Sequence, residues 1–273
     1  MMNEPFFTLN DGFAMPQLGL GVWGIENKDV PPVVSSALEA GYRLIDTAAL
    51  YQNEEGVGRA VTRSLLPRAE IFVTTKLANH QHGHAKDALQ ESLARLGLSY
   101  VNLYLIHWPL PAQDRYVETW RQMIELKQQG LTHSIGVSNF TEAHLTRLIE
   151  ETGVVPAVNQ VEIHPTFQQQ SLHAFHKKHG IVTQSWSPLG QGRDVVLPEI
   201  TKIAAKYQKT PAQVIVRWHL QHNFSVIPKS ATLWRIRENK EVCDFALTDD
   251  DMNQIDALNQ HKRMGLDPET FSL

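Results

Sequence analysis

The sequence of 273 residues has very little cysteine, and Cys243 is the only one. A single thiol cannot close an internal disulfide, and a zinc site made of four cysteines is excluded for the same reason. Apolar runs are short as well, and none approaches the ~18 residues that a membrane-spanning helix needs. The acidic opening MMNEPFFTLNDG lacks the apolar core of a signal peptide, so we expect a cytoplasmic protein with no membrane partner.

Blocks of positive charge are also missing. Lysine and arginine number 25 against 29 aspartates and glutamates, which gives a formal net charge of −4. Binding to nucleic acid or another polyanion requires a basic patch, so we expect no such partner. Any anionic ligand must therefore be held by a small, local group of basic side chains.

What the chain does contain is a regular alternation of short apolar runs with amphipathic segments. No linker rich in Pro, Gly or Ser divides it, so we predict a single domain over residues 1–273. The eight apolar runs, which are the strand candidates, are LGLGV (18–22), RLIDT (43–47), IFVTT (71–75), VNLYLIHW (101–108), SIGVS (134–138), AVNQVEI (157–163), IVTQSWS (181–187) and FSVIP (224–228).

The segments between these runs have the pattern of helices. Four of them end at a glycine, which easily adopts the conformation that terminates a helix: Gly41, Gly97, Gly130 and Gly153. Thr141 precedes the last of the four and is a favourable N-cap. Strands that alternate with helices in one domain predict a parallel (β/α)8 barrel, or TIM barrel, and a doubly wound open sheet is the alternative.

Ionisable side chains stand where three successive strand candidates end. Asp46 ends the second, Lys76 the third and His107 the fourth, and Tyr51 follows Asp46 on the next loop. In a barrel, these ends meet at one rim, where active sites are found. Further polar or aromatic residues at strand ends are Trp108, Ser138, Asn139, Gln160, Glu162, Trp186, Ser187, Lys229 and Ser230.

These residue types suit the delivery of a proton to a carbonyl oxygen. A tyrosine is a poor acid at neutral pH, but the ammonium group of Lys76 would lower its pKa by stabilising the phenolate. Asp46 would keep a buried Lys76 charged, and His107 would direct the carbonyl by a hydrogen bond. The set has no source of electrons, so reduction would need a hydride cofactor.

Two other chemistries use similar side chains. A buried lysine on a barrel strand could form a Schiff base with a carbonyl substrate, as in an aldolase. The histidines of HQHGH (80–84) could bind a metal, but the stretch is polar and a solvated loop is the better interpretation, so we predict no metal site.

The stretch GLGVWG (19–24) matches the dinucleotide-binding pattern G-x-G-x-x-G. That pattern requires a buried strand before it and a helix directly after it, and the flanking residues provide neither. We interpret these glycines as packing at the barrel rim, with Trp23 at the mouth of the site.

A better candidate for cofactor binding is IPKSATLWRIREN (227–239). Here a strand ends at Lys229 and Ser230, and a helix carrying Arg235 and Arg237 begins shortly afterwards. Basic side chains and free amides at a helix start are suited to a phosphate. Trp186 could pack in the core or offer a flat surface to an aromatic ring.

With these motifs in place, the chain resembles the aldo-keto reductase family over essentially its full length. GYRLIDTAALYQNEEGVG, VNLYLIHWP and IPKSATLWRIREN correspond in order and spacing to three signature regions of that family. The sequence is most similar there to the bacterial 2,5-diketo-D-gluconate reductases of the A type, with shared stretches such as MPQLGLGVW, SIGVSNF and SWSPLGQG.

The resemblance implies a barrel whose N-terminal β-hairpin closes the bottom, and NADPH bound across the top. It makes Tyr51 the general acid, tuned by Lys76 and Asp46, with His107 orienting the carbonyl. Trp23, Tyr51, His107 and Trp108 would line the substrate pocket. The residues that it assigns to NADPH are Ser138, Asn139 and Gln160 for the carboxamide, Trp186 for the ring, Ser187, Leu189, Gly190 and Gln191 for the pyrophosphate, and Lys229, Ser230, Arg235, Glu238 and Asn239 for the 2′-phosphate end.

The sequence departs from the family pattern in several places. Ala78 stands where these enzymes usually have a tryptophan, which predicts a roomier or wetter pocket. Thr232 stands where some relatives have an arginine near the 2′-phosphate, and we expect the preference for NADPH to survive on Lys229 and Arg235 in a weakened form. The short loop GRDVVLPEI and the short polar tail HKRMGLDPETFSL predict an open mouth and small polar substrates.

We therefore expect an NADPH-dependent reductase of aldehydes and ketones. Its substrate would be 2,5-diketo-D-gluconate, reduced to 2-keto-L-gulonate, or a small dicarbonyl such as methylglyoxal. A general aldehyde, methylglyoxal or β-keto ester reductase with no diketogluconate role is the alternative. A Schiff-base lyase using Lys76 and a barrel that binds NADPH without turnover stay open, and we expect a monomer.

Overall fold

The computed structural model describes residues 6–272 of the chain. A two-stranded antiparallel hairpin precedes a sheet of eight parallel strands. The hairpin strands are β1 (Phe6–Thr8) and β2 (Ala14–Pro16), and the parallel strands are β3 (Gly19–Gly21), β4 (Leu44–Asp46), β5 (Phe72–Leu77), β6 (Val101–Ile106), β7 (Thr132–Ser138), β8 (Val158–Glu162), β9 (Val182–Trp186) and β10 (Ser225–Val226).

Helices follow most of the strands and surround the sheet. The α-helices are α1 (Val30–Glu39), α2 (Glu54–Arg63), α3 (Ala85–Leu96), α4 (Tyr116–Gln128), α5 (Glu142–Thr152), α6 (Gln170–His179), α7 (Pro198–Tyr207), α8 (Pro211–Gln221), α9 (Leu233–Lys240) and α10 (Asp249–Asp256). Short 3-10 helices cover Ala49–Tyr51, Arg68–Glu70, Asn79–Gln81, Pro111–Gln113, Gly190–Gly192 and Asp194–Val196.

The eight strands follow one another in chain order around the sheet, from β3 to β10. The two edge strands then meet, because parallel bridges join Leu18 to Val226 and Gly21 to Lys229. The Val226 amide donates to the Gln17 carbonyl oxygen at 2.8 Å across this seam. The sheet therefore closes on itself, which confirms the predicted (β/α)8 barrel and the eight strand candidates and rules out the open sheet.

Alternation along each strand separates the inside of the barrel from its helical jacket. On β4, Ile45 packs in the layer between strands and helices, whereas Leu44 packs in a second cluster with Phe72 and Leu105. This second cluster fills the barrel interior. Asp46 lies two positions after Leu44 and therefore points in the same direction, towards the barrel interior, at the end of β4.

The N-terminal hairpin closes one end of the barrel. Its residues Leu9 and Met15 are buried and belong to the interior cluster, together with Leu44 and Phe72 at the starts of their strands. Burial of these apolar side chains joins the hairpin to the barrel. The hairpin at the bottom of the barrel, which the resemblance implied, is thereby confirmed.

The residues predicted to begin and end helix α5 are confirmed as its caps. The Thr141 side chain accepts a hydrogen bond from the His144 amide, and the His144 ring accepts one from the Thr141 amide. Gly153 ends α5 in the left-handed conformation, with φ of 69°. Within residues 6–272, no helix is both long enough and apolar enough to cross a bilayer.

The hairpin contact gives a stability prediction. Met15→Ala should lower the free energy of unfolding by about 2–5 kcal/mol, because it opens a cavity in the barrel interior. Urea unfolding followed by far-UV circular dichroism measures this change. Phe6→Ala is the matched control on the same hairpin, since Phe6 is 56% exposed, and should cost less than about 1 kcal/mol. Equal losses of unfolding free energy in the two variants would contradict the role of Met15 in closing this end of the barrel.

Candidate active site

A cavity of about 450 Å³ opens at the carboxyl ends of the strands, opposite the hairpin. Residues from most strands and from the C-terminal segment line it. They are Gly21, Trp23, Asp46, Leu50, Tyr51, Asn79, His107, Trp108, Ser138, Asn139, Gln160, Trp186, Ser187, Pro188, Gln191, Ile227, Lys229, Gly265, Leu266 and Phe271. The sequence-predicted strand-end residues thus meet largely at one place.

The centre of the site is a buried ion pair. Lys76 Nζ lies 2.6 Å from Asp46 Oδ1, and both side chains are almost fully buried. The same ammonium group donates to the Thr47 carbonyl oxygen at 2.8 Å and to Tyr51 Oη at 3.3 Å. Its three hydrogens are therefore all engaged, and one of them contacts the phenol. Within residues 6–272, no group accepts the hydrogen of the Tyr51 hydroxyl, so that hydrogen is available to a ligand.

The pKa of Tyr51 differs from the sequence-based expectation. Burial raises the pKa of the phenol above its usual value of 10, and the charge of Lys76 lowers it by less. The expected net lowering is therefore not found, because the sequence shows the neighbouring charge but not the cost of burying a phenolate. Tyr51 consequently holds its proton at neutral pH, with a cation beside it that stabilises the phenolate when the proton leaves.

Lys76 itself remains charged. Burial lowers its pKa, but Asp46 and Tyr51 together raise it by more, so the net shift is upward. On the other side of the pair, burial raises the pKa of Asp46 and Lys76 opposes that shift. Asp46 Oδ2 accepts a hydrogen bond from Gln160 Nε2 at 2.8 Å. The pair is thus stabilised by hydrogen bonds as well as by its own attraction.

His107 is neutral at physiological pH. Burial lowers its pKa well below 6.5, and the charge of Lys76 lowers it further. Its ring lies edge-on to that of Tyr51, with 5.7 Å between the centroids. Nδ1 is buried and has no partner among the described residues, so Nε2 is the ring nitrogen that a ligand can reach. A neutral imidazole protonated at Nε2 would donate a hydrogen bond there.

Next to this centre, Trp186 forms a flat aromatic wall. Its indole N–H donates to Asn139 Oδ1 at 2.9 Å, which fixes the ring orientation. Asn139 in turn donates to the His107 carbonyl oxygen at 3.0 Å, and Ser138 Oγ donates to the Gln160 carbonyl oxygen at 2.8 Å. Amide groups and an aromatic face beside a proton donor fit a flat heteroaromatic ring that carries a carboxamide.

The cavity continues towards a basic end. Lys229 and Gln191 line it, and Ser230 is buried in a turn in which its hydroxyl accepts the Thr232 amide at 3.1 Å. The resemblance assigned several further residues to this end. Of these, Leu189 and Gly190 lie in the turn beside Gln191, and Arg235, Glu238 and Asn239 lie on α9 outside the cavity lining.

Arg235 is exposed, and its guanidinium lies 5.1 Å from the Trp234 ring centroid. Neither Arg235 nor Lys229 has a carboxylate ion-pair partner within residues 6–272, so their charges are available to an anion. Glu238 instead accepts a hydrogen bond from the Thr210 hydroxyl at 3.0 Å. The cavity thus has a flat amide-rich part and a basic part, which fits an elongated anionic ligand with a ring at one end.

The C-terminal segment contributes to the cavity, which the sequence did not predict. Gly265, Leu266 and Phe271 line the cavity, and the Phe271 ring lies 4.9 Å from that of Trp108. The tail therefore covers part of the mouth that its length and polarity predicted to be open. A tail with no periodic pattern gives no sequence signal for such a contact; the only hint was Phe271 itself, a lone aromatic in a polar segment.

Asn79 was missed as well. It lines the cavity, whereas the preceding Ala78, which we expected to widen the pocket, is buried with 2% of its surface exposed. Asn79 is 4% exposed, and its Oδ1 has no hydrogen-bond partner among the described residues. This position therefore presents an amide to the cavity.

The two alternative chemistries find little support in the geometry. Lys76 is outside the cavity lining and uses all three hydrogens within the protein, so it is not placed to attack a carbonyl. In the HQHGH stretch, His82 is buried while His80 and His84 are exposed. Within residues 6–272, no group of three or more His, Cys, Asp or Glu side chains is placed to hold a metal ion.

Comparison with known proteins gives a consistent result. The sequence profile of the aldo/keto reductase family matches residues 16–260. Among curated proteins, the chain is 53% identical to "Methylglyoxal reductase DkgA" of Escherichia coli over 273 residues, which cover 99% of both chains.

Solved structures agree in fold. The crystal structure of Gox0644 without ligand has a TM-score of 0.96 and 48% identity, covering 99% of this chain and 100% of that one. A variant of the same protein, solved in complex with NADPH, matches equally well. An aldo/keto reductase from Brucella melitensis has a TM-score of 0.92 and 52% identity, covering 95% of this chain and 99% of that one.

The buried ion pair gives a second stability prediction. Lys76→Met should cost about 3–5 kcal/mol of unfolding free energy, because it leaves the Asp46 carboxylate buried without its partner. The double variant with Asp46→Asn should cost clearly less than the two single changes added together. Urea unfolding of all four proteins at neutral pH measures the coupling.

The control for this cycle is Lys127→Met. Lys127 lies 2.6 Å from Asp11, but its side chain is 31% exposed, so this change should cost no more than about 1 kcal/mol. Additive costs at Lys76 and Asp46, or a Lys76 cost as small as the control's, would show that the pair is not energetically coupled.

Proposed function

The chain belongs to the aldo/keto reductase family, and on this premise we propose that it reduces aldehydes and ketones to alcohols with NADPH. The observation that carries the proposal is the contact of the Lys76 ammonium group with both Asp46 and Tyr51 at the wall of the cavity. A phenol that keeps its proton beside a buried cation is suited to protonate an oxygen on which negative charge develops.

Each residue of this group has a distinct task in the proposal. Tyr51 donates its proton to the carbonyl oxygen, and Lys76 stabilises the phenolate that forms. Asp46 keeps Lys76 charged in a buried place, since an unpaired ammonium group there would lose its proton. Neutral His107 donates a hydrogen bond from Nε2 to the same carbonyl oxygen and fixes its direction. The burial that raises the pKa of Tyr51 also excludes the water that would weaken these interactions.

NADPH, when bound, supplies the hydride that reduces the carbonyl carbon. Ser138, Asn139 and Gln160 would hold its carboxamide, and Trp186 would support the ring. The residues proposed for the rest of the cofactor are Ser187, Leu189, Gly190, Gln191, Lys229, Ser230, Arg235, Glu238 and Asn239. Support comes from the amide groups around Trp186, from Lys229 in the cavity lining and from the NADPH complex of the related Gox0644 variant.

For the substrate we propose small dicarbonyl compounds such as methylglyoxal, and 2,5-diketo-D-gluconate reduced to 2-keto-L-gulonate. The related Escherichia coli protein is named a methylglyoxal reductase. Trp23, Trp108 and Phe271 surround the mouth, and Asn79 adds an amide that suits a second oxygen on the substrate. A reductase of general aldehydes or β-keto esters without a diketogluconate role is the alternative. A cytoplasmic monomer remains our expectation.

Tyr51→Phe tests the proton donor. It should lower kcat about 10²- to 10⁴-fold on every substrate and leave the dissociation constant for NADPH nearly unchanged, because only the proton is removed. Turnover of methylglyoxal, 2,5-diketo-D-gluconate and a β-keto ester, measured side by side as NADPH oxidation, gives the substrate ranking in the same experiment.

The matched control for this change is Tyr104→Phe. Tyr104 is buried on β6 outside the cavity, and its hydroxyl makes no hydrogen bond among the described residues, so turnover should persist. Equal loss of turnover and of NADPH binding in Tyr51→Phe would contradict the assigned role. NADPH binding by the wild-type protein with no turnover of any carbonyl would favour the binding-protein alternative.

The basic end of the cavity gives a prediction on cofactor choice. Lys229→Met and Arg235→Met should each weaken NADPH binding about tenfold or more through loss of a charge-assisted contact, and weaken NADH binding little. Fluorescence titration with both cofactors measures the difference. Arg237→Met is the control, an exposed arginine two positions along α9. An equal effect on NADPH and NADH would refute a 2′-phosphate site here.

A further inference from the structure

A second buried charge cluster lies beside the active site. His164, which follows β8, is fully buried between two carboxylates: Nε2 is 3.1 Å from Glu162 Oε1, and Nδ1 is 3.1 Å from Asp194 Oδ2. Both carboxylates are buried as well. Neither Tyr51 nor the other residues of the proposed reaction belong to this cluster, so the proposed reaction does not explain it.

On one side, Glu162 holds the C-terminal segment. Its carboxylate accepts the backbone N–H groups of Met264 at 2.7 Å and of Gly265 at 2.8 Å. Gly265 packs tightly against Trp186, because a Cβ atom added there would lie 2.6 Å from Trp186 Cη2. The Glu162 carboxylate therefore holds Gly265 in contact with the edge of the Trp186 ring.

On the other side, Asp194 holds the turn that follows β9. It accepts the backbone N–H of Thr166 at 3.1 Å, and it lies directly beneath Gly190, where an added Cβ would be 2.6 Å from Asp194 Oδ1. The same turn carries Gln191, which lines the cavity. Two separate parts of the cavity wall are thus attached to the two carboxylates that His164 joins.

The two flanking carboxylates favour a charged imidazole. The Thr166 hydroxyl also lies 2.9 Å from His164 Nδ1, but it donates to Asp194 at 3.1 Å. A neutral ring has one N–H and can donate to one carboxylate, whereas an imidazolium has two and satisfies both. Burial lowers the pKa of His164, but hydrogen bonds to Asp194 and Glu162 raise it by more, so the net shift is upward. Favourable interaction of this kind is complete at low pH and is lost as pH rises through the raised pKa.

Two further charged or titratable groups face the cluster. His219 packs nearby from α8, and its pKa is lowered to about 4, mainly by burial, so it stays neutral. Arg263 of the tail lies 4.8 Å from the ring centroid of Phe167 and remains cationic near Glu162. Neither group changes its charge as pH rises above 6.5, the side to which the pKa of His164 is shifted.

We propose that His164, as an imidazolium, is a positioning residue that fastens the segment Met264–Leu266 and the turn Gly190–Asp194 to the barrel, as two walls of the cofactor end of the cavity. The cluster acts only through those walls and touches no reacting atom. The role of the walls in NADPH binding rests on the proposed function, whereas their attachment to the barrel does not.

Tryptic release of the tail tests the attachment without any cofactor. The bonds after Lys262 and Arg263 precede the fastened segment, so their cleavage in the full-length protein reports its detachment. His164→Gln should accelerate this cleavage about tenfold, because the neutral amide of Gln carries no charge and cannot donate to both carboxylates. His176→Gln is the matched control: His176 is equally buried but bonds to Asn159 and Thr183, away from the tail. Equal cleavage of both variants and the wild type overturns the proposal.

Gly265→Ala tests the same attachment from the tail side, and decides the matter if His164→Gln does not fold. The added methyl group has no room between Trp186 and Glu162, so tail cleavage should again be faster. Cleavage at the wild-type rate would show that the tail is not held against Trp186, which also overturns the proposal.

The second readout is NADPH binding as a function of pH. In the wild-type protein, affinity should fall as pH rises through the pKa of His164. In His164→Gln, affinity should be about tenfold weaker at neutral pH and should lack this dependence, while kcat at saturating NADPH and substrate changes little. An unchanged pH profile in the variant overturns the role of the imidazolium.

The two readouts separate the two proposals. Normal NADPH-dependent turnover, with no change in tail cleavage or pH profile, would leave the proposed function standing and remove the positioning role. Faster tail cleavage in His164→Gln, in a protein that binds no NADPH at all, would keep the attachment and contradict the proposed function.

Discussion

The buried ion pair between Lys76 and Asp46 is the interaction on which the active-site cavity depends. A charged amine in the interior of a barrel is tolerable only when its hydrogens are all satisfied, and here a carboxylate, a backbone carbonyl and a phenol do so. The carboxylate is held in turn by Gln160, which also contacts Gln184, and Gln184 donates to Ser225. A chain of hydrogen-bonded polar side chains therefore crosses the barrel from Asp46 on β4 to Ser225 on β10.

This arrangement places opposite demands on Tyr51. Burial raises the pKa of the phenol and keeps the proton on it, while Lys76 favours the phenolate. A group that must hold its proton until a ligand oxygen becomes basic, and then release it easily, needs both influences. In the proposed reaction, the polar chain behind Lys76 would let the cation remain in place through this change, so neither the protein nor water would have to reorganise.

How far the sequence reveals this depends on the range of each interaction. The strand pattern is local, so the meeting of Asp46, Lys76 and His107 at one rim followed from the short apolar runs. The hairpin at the bottom was visible only through resemblance. The sequence did not predict the roles of Asn79, of the tail or of the partners of His164. Contacts such as that of Glu162 with Gly265 join residues about one hundred positions apart and leave no periodic pattern in the sequence. The predicted lowering of the Tyr51 pKa was wrong for a related reason. The burial that raises this pKa is a property of the folded chain and cannot be read from the residues around Tyr51.

The hairpin and the tail place the first and last described residues at opposite ends of the barrel. The described chain begins at Phe6 beneath the closed end of the barrel and finishes at Ser272 beside the open one. An affinity tag or a fused fluorescent protein on the amino side of Phe6 would join the chain at the end of the barrel opposite the cavity. The same addition on the carboxyl side would follow directly after a segment that forms part of the cavity, so the choice of fusion site is itself a choice about activity.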